Sequence, residues 1–283
     1  GDRKLEGVVT VKKLLLSNDD DVIEDIMDTN VIFAHTTDDQ EDVSEKISDY
    51  DLLAIPVVDK ESRLVGIVTV DDIIDVMQEE VTEDIEKMAA ITPSDKPYLK
   101  QSVIYIWKNR IPWLLLLMIS ATFTGMIISS FESALATQVV LVGFIPMLMD
   151  TGGNSGSQTS ATIIRSISLG DIEFSDLFSI LWKELRVAVL CGLSLAAVNF
   201  VKVMVVDRML LGNTDISFTV AAVVCLTLAL TVLAAKLMGC ILPMLAEKIG
   251  FDPAVMASPF ITTIVDAISL LVYFALATSI LHI

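Results

Sequence analysis

Residues 64–74 read LVGIVTVDDII, and residues 5–15 read LEGVVTVKKLL, which is the same pattern displaced by 59 residues. An internal repeat of this length is typical of a supersecondary unit that packs against its twin. The second copy is complete between residues 17 and 80, whereas the first contributes only its last strand and helix. We therefore expect residues 1–16 to be the end of a first unit, and the chain to be a fragment whose upstream sequence completes it.

The complete copy has the pattern of an α+β unit, because short helical periods alternate with runs of β-branched residues. The predicted elements are helix 20–28, strand 31–35, helix 39–49, strand 53–58, a turn at 59–62, strand 64–69 and helix 71–90.

Charge and hydropathy divide the chain into two parts. The 283 residues are 53% hydrophobic and carry a net charge of −18. Residues 1–98 account for −17 of that charge, and residues 99–283 for only −1. This predicts an acidic soluble part followed by a nearly neutral membrane part. An acidic surface attracts cations and argues against nucleic acid as a partner, since nothing basic is present to neutralise phosphates.

Five apolar stretches are long enough to cross a bilayer, which takes about 20 helical residues. They cover residues 111–131, 134–165, 185–207, 217–246 and 258–282. The second contains DTGGNSGSQ at residues 150–158, which we interpret as a helix break that lines protein or a water-filled path. Lys236 interrupts the fourth stretch, and we interpret it as structural, either snorkelling or paired with a carboxylate.

The positions of Lys and Arg predict the orientation. Basic residues precede the first stretch, flank the loop after the second and follow the fourth, whereas the first loop and the C-terminus have none. The positive-inside rule then places the N-terminus and acidic part in the cytoplasm and the C-terminus outside.

Asp266 lies about a third of the way into the last stretch, where an ionisable side chain costs about 2.5–3.5 kcal/mol at a helix centre. It is either a carboxylate bonded to a neighbouring helix or a ligand in an ion pathway, and we favour the pathway. Thr262 precedes it by one helical turn and shares its face.

The helix at residues 71–88 carries carboxylates along one side and an apolar stripe on the other. Such a face is normally solvated. Because this helix lies directly before the membrane part, we instead expect its carboxylates to form a cation-binding site, where bound cations relieve the repulsion between like charges.

The repeat resembles a pair of CBS domains, and the run from Gly66 to Asp72 is the typical end of such a unit. The resemblance implies that Thr69 contacts the phosphate and Asp72 the ribose of adenosine nucleotides such as ATP. Lys13 occupies the aspartate position in the first copy, which argues against nucleotide binding in that half.

A CBS pair, an acidic helix and five spans with a Gly-Gly-Asn-x-Gly-x-Gln run together resemble the MgtE family of magnesium channels. The resemblance implies a multi-domain membrane protein, in which the α+β CBS domain is followed by a long acidic plug helix and an all-α bundle of five transmembrane helices. The expected boundaries are 1–16 for the remnant of the first CBS unit, 17–80 for the second, 71–100 for the plug helix and 101–283 for the pore domain.

The family further implies a homodimer in the plasma membrane with its pore on the two-fold axis. Mg²⁺ dehydrates reluctantly, so a pore would hold the hydrated ion through few carboxylates. The expected pathway residues are Asp266, Asn154, Thr262, Gly152, Gly153 and Gln158.

By the same resemblance, cytoplasmic Mg²⁺ closes the pore by bridging carboxylates of the plug helix and the CBS unit. The matching positions are Asp72, Asp75, Glu80, Glu83 and Asp84 on the helix, with Asp39, Glu41 and Asp51 on the CBS unit.

Two other functions stay open at this point. One is a carrier that couples divalent cations to Na⁺ or H⁺, and the other is a membrane-anchored metal or nucleotide sensor that conducts nothing. The sequence does not distinguish Mg²⁺ from other divalent cations as the ion carried. An enzyme is not expected, since we find no HExxH, no Gly-x-Ser-x-Gly and no His/Cys constellation.

Overall fold

The structure is a computed structural model that describes residues 3–94 and 96–283, with Ser258 described by its backbone alone. It contains two compact units, residues 1–83 and residues 84–283. The membrane architecture predicted from the sequence, with an α+β unit followed by apolar helices, is confirmed.

The first unit is built on a three-stranded sheet in the order β1-β2-β3. β1 pairs with β2 in parallel, and β2 pairs with β3 in an antiparallel ladder. The unit's helices are α1 to α3 and most of α4. The elements are α1 (Val11–Leu16), α2 (Ile23–Ile26), β1 (Ala34–His35), α3 (Gln40–Asp49), β2 (Ala54–Val58), β3 (Leu64–Thr69) and α4 (Val70–Met88).

An apolar core joins this sheet to α3 and α4. Its fully buried members come from β1, β2 and both helices: Ala34, Val43, Ile47, Ile55 and Ile73. The turn between β2 and β3 is fixed by Asp59, whose Oδ1 accepts bonds from the backbone N–H groups of Glu61 and Arg63 at 3.0 and 2.8 Å. Aspartate favours such turns because its short side chain bonds to the backbone nearby.

The first repeat copy lacks the predicted strand. Lys4 and Val8 form only isolated bridges, to Arg63 and Asp28, before α1 begins. A strand needs a continuous ladder of backbone bonds, and these two contacts go to different partners.

Helix α4 ends at Met88, so the expected helix to residue 100 is wrong in its last part. Ala90 takes a φ of 54°, and the Ile91 N–H bonds back to the Glu86 carbonyl at 2.9 Å. This is a left-handed helix end, which closes the last turn and stops propagation.

Among the residues that the structure describes, four helices of the second unit are long and apolar enough to cross a membrane: Val103–Ser130, Phe174–Leu210, Phe218–Lys248 and Pro253–Leu281. Their α-helical parts are α5 (Val103–Ser130), α8 (Leu177–Lys202), α9 (Phe218–Lys248) and α10 (Ser258–Leu281), and α8 continues as a π-helical segment, Val203–Leu210. Five apolar spans were predicted from the sequence, whereas four of the described helices meet the length and composition needed to cross a membrane.

The remaining long helix is α7 (Ile145–Ser168), preceded by α6 (Glu132–Thr137) and a 3₁₀ segment, Val139–Phe144. α7 runs unbroken through residues 150–158, so the predicted helix break is wrong. A continuous helix satisfies its own backbone groups, and burial between other helices keeps its polar side chains out of lipid. The interruption of the predicted span lies earlier, between residues 131 and 144.

Glycine has a packing role in α7. A Cβ placed on Gly152 would lie 2.6 Å from Thr231 Cγ2 of α9, and one on Gly153 would lie 2.7 Å from Thr262 Cγ2 of α10. Small residues allow this close approach of membrane helices.

Candidate functional site

One face of α7 is polar and exposed in the single chain. Asp150, Asn154, Gln158 and Thr162 follow one another at four-residue intervals, and all four are exposed. Such spacing places them along one side of the helix. The opposite face carries the glycines and is buried against α9 and α10. A polar stripe on a membrane-depth helix requires water or a polar partner in front of it. We call these four residues the polar stripe.

Helix α10, which carries Asp266 and Thr262, packs on the glycine face of α7, with Thr262 against Gly153. The two helices run antiparallel, since Gly152 lies against Ser269 whereas Gly156 lies against Ile261. Asp266 thus comes to about the level of Asp150 along the two helices. Asp150 was missed as a site residue by sequence reasoning, although its position one turn before Asn154 could have indicated it.

The carboxylate of Asp266 is only partly satisfied by the protein. Its Oδ1 atom is buried and has no hydrogen-bond partner among the residues that the structure describes. An unpaired carboxylate oxygen in such a place is costly and is ready to accept a bond from a cation or its water shell.

The structure places the predicted pathway residues in two groups. Asn154 and Gln158 belong to the exposed polar stripe of α7, whereas Asp266 and Thr262 lie on α10, where Thr262 packs on Gly153. Gly152 and Gly153 are buried in the helix contact and line no surface of the single chain.

The predicted regulatory carboxylates are distributed over the first unit and α4. Asp39 caps α3 and accepts a bond from the Glu41 N–H at 3.1 Å. Gln40 donates to Glu80 Oε1 at 2.6 Å, which brings the start of α3 to α4. Sequence reasoning missed Gln40. Asp51 follows α3 with a φ of 50°.

The other predicted regulatory positions, Asp72, Asp75, Glu83 and Asp84, lie along α4. Over the described ranges 3–94 and 96–283, no group of three or more His, Cys, Asp or Glu side chains is close enough to hold a metal ion. The regulatory set therefore remains a prediction.

A cavity of about 380 Å³ lies in the first unit between β1, β2 and α4. His35, Asp38, Gln40 and Asp72 are among its polar lining residues. The backbone N–H of His35 and the ammonium of Lys46 both donate to Asp38 Oδ2 at 3.0 Å, and they lower the pKa of that carboxyl. Thr69 donates to Asp72 Oδ2 at 2.8 Å, so the two predicted nucleotide contacts are adjacent.

Within the second unit, the end of α4 contacts α7 and the segment that precedes α10. Ser168 of α7 donates to Asp84 Oδ2 at 3.1 Å. Lys87 forms an ion pair with Asp252, and Met88 packs on a cluster that includes Ile164 and residues just before α10.

Two family models match the chain. One, described as a divalent cation transporter, covers residues 145–276, and the CBS domain model covers residues 23–79. The chain carries an MgtE domain. It begins at the N-terminus of α7 and ends within α10, so it contains both helices of the candidate site.

Three curated proteins, each named "Magnesium transporter MgtE", match nearly the whole chain. The protein from Thermus thermophilus is 36% identical over 99% of this chain and 60% of its own length. The Bacillus subtilis protein is 39% identical, with 99% and 60% covered, and the Enterococcus faecalis protein is 38% identical, with 97% and 58% covered. The chain thus spans about 60% of the length of these relatives. The resemblance to the MgtE family drawn from the sequence is confirmed.

The MgtE domain contains one further polar arrangement that sequence reasoning left unconnected. Lys236 of α9 donates to Thr159 of α7 at 3.2 Å, and Thr159 donates to Glu184 of α8 at 3.1 Å. Thr159 and Glu184 are 25 positions apart in the sequence, and Thr159 and Lys236 are 77 positions apart, so no local motif indicates these contacts.

Proposed function

We propose that the chain is the conducting part of a magnesium channel in the plasma membrane, and that two copies assemble around its pore. The observation that carries the proposal is the exposed polar stripe of α7, with Asp266 of α10 at the level of its first residue, Asp150. The matches to divalent cation transporters support it.

The arrangement suits a hydrated divalent cation. Mg²⁺ holds its water shell tightly, so a pathway gains by offering acceptors to the shell and one charge to the ion. Asp266 supplies the charge. Asn154, Gln158 and Thr262 supply amide and hydroxyl groups, and a second copy would double both.

Uptake of Mg²⁺ into proteoliposomes that contain this chain tests the proposal. With no Na⁺ or pH gradient, we expect uptake that follows the Mg²⁺ gradient. Both Asp266→Ala and Asp266→Asn should lower it by at least about tenfold, the effect of losing one bond to a charged group. Asp171→Asn, which removes an exposed carboxylate in the loop after α7, is the matched control.

Uptake by Asp266→Asn equal to that of the native chain would contradict the pathway assignment. Uptake that appears only with a Na⁺ or pH gradient would identify a coupled carrier, and no uptake under either condition would support the sensor function.

We further propose that cytoplasmic Mg²⁺ closes this channel through α4. The carboxylates of α4 and of the α3 start repel one another, and bound cations would remove that repulsion. The end of α4 is already fastened to α7 and to the segment before α10 through Asp84, Lys87 and Met88. Binding to α4 therefore has a direct physical route to the pathway helices. Adenosine nucleotide is proposed as a second ligand, in the cavity beside Asp72.

A further inference from the structure

Lys236 is a buried ammonium at membrane depth. It lies near the middle of α9, and its exposed fraction is 6%. Among the described residues it is the only charged side chain in the buried class. A lysine at such depth is costly unless its charge is compensated, so its environment needs an explanation.

The compensation comes through one hydroxyl group. Lys236 Nζ donates to Thr159 Oγ1 at 3.2 Å, and Thr159 Oγ1 donates to Glu184 Oε2 at 3.1 Å. A hydroxyl can accept one bond and donate another, which links the ammonium to the carboxylate. The network ties α9, α7 and α8 together at a single point.

This network lies next to a close backbone contact between α7 and α9. Gly239, one turn after Lys236, packs on the carbonyl oxygen of Gly156. A Cβ placed on Gly239 would lie 3.2 Å from Thr159 Cβ. The translation of α7 along α9 is thus limited by backbone contact, and its rotation is limited by the bonds of Thr159.

Rotation of α7 matters because Thr159 directly follows Gln158 of the polar stripe. Thr159 lies about 100° further round the helix than Gln158, so a rotation of α7 that breaks the bonds of Thr159 also reorients the amides of Gln158 and Asn154. We propose that Lys236, Thr159 and Glu184 are positioning residues that set the rotation of α7 and thereby the discrimination of Mg²⁺ from larger divalent cations. This inference rests on the proposed conduction function.

The test compares three substitutions of buried threonines in the full chain. Thr159→Val keeps the shape and removes both bonds, whereas Thr159→Ser keeps the hydroxyl. Thr227→Val is the matched control, because Thr227 is fully buried in α9 and, among the described residues, its hydroxyl bonds to the Val223 carbonyl oxygen of its own helix at 2.8 Å.

In proteoliposomes, we expect Thr159→Val to lower the ratio of Mg²⁺ to Ca²⁺ uptake about tenfold, the effect of losing bonds to charged groups. Thr159→Ser and Thr227→Val should keep the native ratio. If Thr159→Val and Thr227→Val give the same ratio, the positioning role is overturned, while uptake by the native chain continues to support conduction.

A second measurement does not depend on transport. In a Cys191→Ser background, Gln158→Cys is labelled with a water-soluble thiol reagent, since Cys225 and Cys240 are buried. Adding Thr159→Val should change the labelling rate of this cysteine, and adding Thr227→Val should not. Equal labelling rates in all three backgrounds would overturn the inference even if the chain conducts nothing.

Discussion

At the scale of single residues, glycine decides how closely the membrane helices approach. Gly239 of α9 and Gly156 of α7 meet backbone against backbone, and Gly152 and Gly153 receive the methyl groups of threonines. Close packing of this kind replaces the hydrophobic effect, which gives little driving force between helices in lipid. Glycine in this bundle is therefore a structural requirement.

Gly239→Ala should destabilise the chain, because its methyl group would overlap the Gly156 carbonyl. Overpacking of a tight contact costs about 1–3 kcal/mol, which a thermal unfolding midpoint in detergent detects. Gly125→Ala is the control. Gly125 lies inside α5 with open space around its Cβ position, so alanine should be neutral or stabilise by about 0.5–1 kcal/mol. Equal midpoints for the two variants would contradict the assigned contact.

Asp266 could be identified from the sequence because a carboxylate in an apolar stretch is energetically costly. Thr262 could be identified because it precedes Asp266 by one helical turn. Sequence reasoning could not connect Lys236 with Thr159 and Glu184, since their contact depends on how three helices pack. It also could not place Gln40 against Glu80, which lies 40 residues further along the chain.

At the scale of elements, the α+β unit was the most predictable part. Strands predicted at 53–58 and 64–69 are observed as Ala54–Val58 and Leu64–Thr69, and α3 agrees within a residue. β-branched runs and a turn with aspartate carry their information locally. The glycine-rich run of α7 carries no such local information, because a glycine that breaks a helix cannot be told in the sequence from one that packs against a neighbouring helix.

Helix α4 is the element whose charge we expect to regulate the channel. Asp72→Asn with Asp75→Asn removes two exposed carboxylates from it without changing their size. Less repulsion is then left for Mg²⁺ to relieve, so inhibition of uptake by Mg²⁺ on the cytoplasmic side should require higher concentrations.

The measurement for α4 is uptake against internal Mg²⁺ concentration, with maximal uptake unchanged. Asp19→Asn with Asp20→Asn, two exposed carboxylates before α2, is the matched control for net charge. A double variant at Asp72 and Asp75 that is inhibited at the native concentration would contradict the regulatory role.

At the scale of the whole molecule, charge is divided along the chain. Residues 1–98 carry a net −17, while the helices that follow are almost neutral and their C-terminal loop has no basic residue. The positions of Lys and Arg around the spans, rather than this net charge, predict the sidedness of the chain in the membrane, because positive residues stay on the cytoplasmic side.

Cysteine labelling in right-side-out vesicles checks this orientation, in a Cys191→Ser background. Ser62→Cys, in the exposed turn before β3, should react only after the membrane is permeabilised. His282→Cys, which follows α10, should react without permeabilisation. The reverse pattern, or labelling of both from one side, would contradict the predicted orientation.

The contact between Gly156 and Gly239 also has a kinematic consequence. Where backbone meets backbone, no side chain can rotate aside to let one helix slide, so α7 does not translate freely along α9 at this point. Contacts of α7 with α10 pass through the side chains of Thr262, Val265 and Ser269, which have rotamers to exchange. A sliding movement that widens the pathway is therefore easier between α7 and α10 than between α7 and α9.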